Sequence, residues 1–175
     1  MALLGQQYSG TPTESPAWWA SLNAVLAITQ RRRAEISQDP SADEDLAWCY
    51  AANALGTTLD ILMRNTQLLS VQALLSIAWF FIGTPNPQPS FMLVGNALRL
   101  AHSIGLHRAN HGSASWDSIE LYMRRKVFWI ALSLDRELCL RTGRPPAHDL
   151  HHFQVDMPSD SLDDTEFVPA EMAPD

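Results

Sequence analysis

Cysteine is scarce in this chain: the 175 residues hold two, Cys49 and Cys139. That excludes a disulfide framework and any CxxC metal pair, and leaves two reduced thiols, each expected to be buried in a helix. Long apolar runs are missing as well. The most apolar stretch, Leu74 to Ile82, has nine residues, where a bilayer-spanning helix needs about 20. No basic-then-apolar segment opens the chain, so the expected setting is intracellular and reducing, with no membrane partner. No stretch alternates apolar and polar residues with period two, so no strand is expected. Nucleophile elbow, zincin helix, Walker loop and dinucleotide fingerprint are all lacking. No catalytic, metal or cofactor-binding residue is therefore assigned, and the chain is read as a non-enzyme.

A basic excess is lacking too. The net charge is −7, but six of the 19 acids lie in residues 159–175 without a base among them. The remaining body carries 13 acids against 12 bases. Such a body has no phosphate-neutralising footprint, so tight nucleic-acid binding by this chain alone is not expected.

What is present is helix. With 46% apolar and 18% charged residues, the composition is that of one globular domain. Residues 1–14 read as a frayed leader, 15–158 as a helical domain and 159–175 as an acidic tail. Ser15-Pro16 starts a first helix with an N-cap acceptor and a proline at N1. Trp18, Leu22, Val25, Leu26 and Thr29 form its expected stripe, and Arg31, Arg32 and Arg33 sit at the negative end of its dipole. A capping box of Ser41 and Glu44 is expected to open the second helix, with Ala47, Tyr50, Ala51, Ala54, Thr58 and Leu62 inward and Gly56 as a weak point. A break near Asn65 leads to a third helix facing inward with Val71, Leu74, Leu75, Ala78 and Phe81, stopped by Gly83, Pro85, Pro87 and Pro89. Ser90 is expected to cap a fourth, with Phe91, Val94, Leu98 and Ala101 inward and Gly105 at its left-handed C′ position. Asp117 with Glu120 starts the fifth and longest. Its stripe is Met123, Val127, Ile130, Leu134 and Leu138, widened by Phe128, Ala131 and Leu132, so this helix is expected to be central. The fold expected is all-α, about five main helices in antiparallel hairpins with no sheet.

From Phe91 onward the motifs fall into a recognisable order. Ala97 to Arg108 reads ALRLAHSIGLHR. It is followed by Glu120, Arg124-Arg125-Lys126-Val127-Phe128-Trp129, Leu134-Asp135-Arg136 and Gly143-Arg144-Pro145-Pro146. These blocks, in this order and spacing, resemble the fungal-specific transcription factor regulatory domain, the helical middle region of zinc-cluster transcription factors. The resemblance implies a nuclear role in transcriptional regulation through intramolecular contacts, a small-molecule effector or a transcriptional co-regulator. In that family DNA is reached through a zinc cluster that needs six cysteines; two cannot build it. No cofactor is therefore expected in this chain. The family's helical region also runs on for longer, so an uncovered apolar face and self-association are expected. After the Gly-Arg-Pro turn the family carries an acid-rich run, where this chain has His152 and Gln154.

The motif core is thus Arg124, Arg125, Trp129, Asp135, Arg136, Gly143, Arg144, Pro145 and Pro146, in structural roles. Arg124, Arg125 and Lys126 fan around a helix axis instead of forming one face, so ion pairing outweighs phosphate binding. Arg124 or Arg125 is expected to reach a carboxylate such as Asp135, and Glu137 is placed to pair with Arg141. Trp129 is expected in the core. Gly143 to Pro146 reads as a helix stop, with Arg144 bridging back to the long helix or its neighbour. His148, His151 and His152 read as exposed loop histidines, and the rival in which they serve a metal enzyme lacks an accompanying acid or cysteine. A second rival is a helical protein-interaction scaffold without a transcriptional role.

Overall fold

A computed structural model describes residues 5, 15–64, 66–108, 118–148, 155 and 157. Those residues form α1 (Pro16–Ala34), α2 (Pro40–Gly56), the short α3 (Thr58–Arg64), α4 (Leu68–Phe81), α5 (Gln88–Ser103) and α6 (Ser118–Thr142). No strand occurs among them, and the fold is all-α. The leader, the acidic tail, Asp117, His151 and His152 lie outside the described residues, apart from Gly5.

The first helix begins as its sequence dictates. Ser15 is extended at the N-cap and its hydroxyl accepts the Trp18 N–H at 3.4 Å, with Pro16 at the donor-free N1 position. Its buried face differs from the expected one. Ala17, Ala20, Ala24 and Ala27 are buried with Asn23, whereas Val25 is 54% exposed and Leu26 and Thr29 are also exposed. The alanines recur at spacings of three and four and meet Ala47, Ala51 and Ala54 of α2. Small side chains let the two backbones approach closely, which the larger residues on the adjoining face would prevent. Cross-bonds fix the pair as antiparallel: Asn53 donates to Asn23 at 3.3 Å, and Arg31 meets Glu44 at 3.1 Å.

The second helix is capped two residues earlier than expected. Asp39, not Ser41, is the N-cap, because Pro40 takes N1. The Asp39 carboxylate accepts the Ser41 hydroxyl at 2.8 Å and the Ala42 N–H at 3.2 Å. Those two donors, the hydroxyl foremost, hold its carboxyl below the ordinary range. Glu44 is thereby released from capping and turns to Arg31. The helix then breaks at Gly56-Thr57 where the sequence suggested only a weak point. The Thr57 hydroxyl donates to the Ala54 carbonyl at 2.9 Å, a local bond that competes with helix continuation. Beyond it, Ile61 of α3 is fully buried.

The centre of the molecule is α4, not the longest helix. It has no charged residue, and Ser70, Val71, Ala73, Leu74, Leu75, Ile77, Ala78, Phe80 and Phe81 are all buried. It touches each of the other five helices, and the main neighbours run α2, α1, α4, α5, α6 across the molecule. At its end Gly83 adopts φ +95° and the following prolines prevent resumption. The next helix starts at Gln88 after a Pro87 cap, so Ser90 is no cap; it is buried inside the first turn. The end of α5 is a Schellman motif, in which Leu106 N–H donates to Ala101 O at 2.9 Å and Gly105 N–H to His102 O at 3.0 Å. Gly105 has φ +75°, and Leu106 is buried as the hydrophobic follower.

On α6, Val127, Phe128, Ala131, Leu132, Leu134 and Leu138 are buried, while Met123 is exposed and Ile130 is 50% exposed. Packed mainly on α5, the longest helix lies at one end of the row and buries one side. Cys139 is half-buried, and burial pushes its thiol above the ordinary range. Cys49 is exposed, contrary to the expected buried thiol. No helix among the described residues is long and apolar enough to cross a membrane.

Candidate functional site

The motif residues converge where the end of α5, the middle of α6 and residues 143–148 meet. Gly143 closes α6 with φ +67°, its N–H donating to Cys139 O at 2.9 Å in a one-bond αL cap. Pro145 and Pro146 lie exposed in the irregular segment that follows. Arg144 turns back to α5 and sets its guanidinium 4.6 Å from the centroid of the half-buried Phe91 ring. Arg136 donates to the His148 carbonyl at 2.6 Å. Arg124 reaches across to the Schellman turn and donates to Ile104 O at 2.9 Å. Arg125 is half-buried, and Lys126 places its ammonium 4.4 Å from the Tyr122 ring centroid one turn earlier.

Asp135 takes a different partner from the one its neighbours suggested. It is 2% exposed, and its two carboxylate oxygens accept the Ala147 N–H at 3.3 and 3.2 Å. Among the contacts of the described residues no ion pair joins Asp135 to Arg124 or Arg125; the Arg124 guanidinium meets an orphan carbonyl at a helix end, where backbone geometry places an acceptor. Burial raises the Asp135 carboxyl above the ordinary range, against the opposing pull of the Ala147 N–H, Arg136 and His148. Trp129 is half-buried at the margin of the core, edge-on to Phe128 at 6.3 Å, rather than inside it. Glu137 and Arg141 do pair, at 3.4 Å in solvent.

Three histidines gather beside this lock. His148 stacks on His102 with centroids 3.6 Å apart, and the His107 centroid lies 4.7 Å from that of His102. His148 is therefore half-buried rather than an exposed loop residue. Stacked rings direct their in-plane lone pairs along separate lines, so they do not converge on one ion. Among the described residues no group of three His, Cys, Asp or Glu side chains could hold a metal. Burial lowers the His102 imidazole below its ordinary range, with His148 and His107 adding to the effect and the Leu98 carbonyl opposing it. Burial likewise lowers His107, helped by Arg108 and His148.

These shifts give a pH dependence of defined sign. An imidazole held low when folded but titrating near ~6.5 when unfolded binds more protons in the unfolded state. The contribution is intact above ~6.5 and is lost as pH falls toward the folded values. Asp135 works in the opposite sense: its raised carboxyl relieves a buried charge as pH falls. We expect the urea midpoint to drop between pH 7.5 and 5.5, and His102→Gln to flatten that drop. An identical slope in His102→Gln would refute the assignment.

A second arrangement was not legible in the motif. Arg31, expected only to face the end dipole of α1, points inward to the end of α4. Its guanidinium lies 3.7 Å from the Phe80 ring centroid and 5.3 Å from that of Trp48, donating to Phe80 O at 2.5 Å and to Glu44 at 3.1 Å. Arg32 and Arg33 remain on the surface, pairing with Glu35 at 3.6 Å and Asp43 at 3.8 Å. Only the inward cation could have been suspected, from Glu44 lying four residues before Trp48 on the facing helix.

These features define a helical module whose internal cations serve packing. The fungal-specific transcription factor domain family matches residues 4–171, and the chain belongs to that family. It is 69% identical over 96% of its length to the Fusaridione A cluster transcription factor of Fusarium heterosporum, covering 32% of that protein. It is 49% identical over 94% of its length to an ABC-transporter-regulating transcription factor of Aspergillus fumigatus, covering 18% of it. The Pyrimidine pathway regulatory protein 1 of Saccharomyces cerevisiae is 26% identical over 77% of the chain, which covers 14% of that protein. The chain thus spans about a third or less of these relatives. No solved structure matches it.

Proposed function

We propose that this chain is the helical regulatory part of a nuclear transcription factor of the zinc-cluster type. It sets transcriptional output through contacts with other parts of its protein, a small-molecule effector or a co-regulator, and leaves DNA reading to a zinc-cluster module. The observation that carries this reading is the family match over nearly the whole chain, with relatives that are themselves described as transcription factors. The internal engagement of Arg124, Arg136 and Arg144 supports it, because cations used in packing are not offered to phosphates.

The test fuses the chain to a heterologous DNA-binding domain and reads a reporter in yeast. Output is expected to differ from that of the DNA-binding domain alone, and the core variant Phe128→Ala should abolish the difference. Output equal to the DNA-binding domain alone would favour the second reading, an interaction scaffold without a transcriptional role. The exposed row of Ile119, Met123, Ile130 and Leu140 on α6 is what speaks for that scaffold, and for self-association.

A further inference from the structure

We propose that the cavity beside Arg31 is a binding site for a small, flat, mainly apolar molecule carrying one anionic or strongly accepting group. It measures about 820 Å³ and is walled by the end of α1, the start of α2 and the turn that follows α4. That size falls among the cavities that hold small ligands, ~300–1,000 Å³.

Its walls are aromatic and fixed. Trp48 meets Phe80 and Phe81 edge-to-face at 5.2 and 5.7 Å, and the two phenylalanines meet each other at 5.3 Å. Such pairs hold their rings in place. Trp48 is nevertheless 43% exposed, and Trp79 on the same cavity is 51% exposed. Two large rings turned to one concavity offer flat surfaces for a planar body. The far wall is equally rigid, since the turn holds Pro85 and Pro87, with Pro89 in the first turn of α5, and the Thr84 hydroxyl lies 2.8 Å from Phe81 O and 3.1 Å from Asn86 O.

The polar group of the ligand follows from Arg31. A guanidinium has five N–H donors in a fixed fork. Two are used here, on Phe80 O and Glu44, and the ring of Phe80 covers one face. The rest of the fork lines the cavity and is partly desolvated, at 25% side-chain exposure, a condition under which a charge-assisted bond to an acceptor is strong. The charges around it limit what that acceptor can be. Arg31 and Arg32 are balanced by Glu44 and Glu35 on the same walls. A dianion would meet those carboxylates, and a molecule with no acceptor would leave the fork unanswered. One acceptor on an apolar body satisfies both conditions. The biological use of such a site, as the effector input, rests on the regulatory reading above; the binding itself does not.

The experiment titrates the 175-residue chain with 8-anilinonaphthalene-1-sulfonate, a flat aromatic monoanion, and with its neutral relative N-phenyl-1-naphthylamine, following emission. Both are expected to saturate one site, the anion more tightly. Trp79→Ala should weaken both by about tenfold, as loss of one stacking ring would. Arg31→Met should remove the preference for the anion while keeping the neutral probe. Trp19→Ala, an exposed tryptophan on α1 away from the cavity, should change neither. If Arg31→Met fails to fold by circular dichroism, Trp79→Ala against Trp19→Ala decides alone. Unsaturable binding, or equal effects of those two variants, overturns the site. A flat reporter assay would sink the transcriptional reading and leave this result standing.

Discussion

Phe128→Ala is expected to destabilise the chain by about 3–5 kcal/mol, the range for emptying an aromatic site in a packed core. Phe128 is fully buried and is the largest of the side chains with no exposure. Its ring stands edge-on to His102 at 5.8 Å and to Trp129 at 6.3 Å, so it joins α6 to the end of α5. Its removal would therefore loosen the Arg124 contact with the Schellman turn as well as leave a cavity. Trp129→Ala is the comparison. Trp129 is larger, but it is half-buried at the edge of the core, and about 1–2 kcal/mol is expected from the area that it covers. Against a total stability of ~5–15 kcal/mol for a domain, the first loss brings the chain near unfolding and the second does not. Urea denaturation of both variants decides the order. A larger loss in Trp129→Ala would mean that the core of α6 has been placed on the wrong side.

The local punctuation of this fold is legible because it depends on single residues. Ser15-Pro16, Gly105 and Gly143 act where their backbone requirements say they must, and the prolines after Phe81 end α4. The uncharged sequence of α4 also announces its burial, although the greater length of α6 suggests a different centre. The errors share a cause. On α1 the large residues draw attention to one face, while the face that packs is the alanine one, since close backbone approach favours small side chains. On α6 the same period runs through Met123 and Ile130, which face away from α5 because nothing in the described residues lies beyond them. The cap of α2 moves from Ser41 to Asp39 because Pro40 fixes N1, a matter of two positions. Contacts between distant segments were the least accessible. Asp135 with Ala147, His102 with His148, and Arg31 with Phe80 each join residues whose pairing no local period encodes. Asp135 and His102 belong to the motif blocks, yet their partners Ala147 and His148 lie beyond the last of them, Gly143 to Pro146.

Ala51→Leu tests the alanine seam most directly. The bonds from Asn53 to Asn23 and from Arg31 to Glu44 set a register in which Ala51 lies across from Ala24. Both alanines are buried, at 2% and 1% exposure. Alanine and leucine differ little in helix propensity, so the substitution changes packing and hardly changes the helix. Three added carbons have no space in the seam, and the two helices would have to part or force strained rotamers. The expected cost is about 2–3 kcal/mol. Ala52→Leu is the control, one residue along the same helix but exposed, and should be close to neutral. Because Arg31 and Glu44 bridge the same pair of helices, parting them would also pull the guanidinium from the Phe80 ring. The loss of stability in Ala51→Leu should therefore come with a change in Trp48 emission that Ala52→Leu does not show. Equal stability of the two variants would mean that α1 and α2 meet through the larger side chains after all.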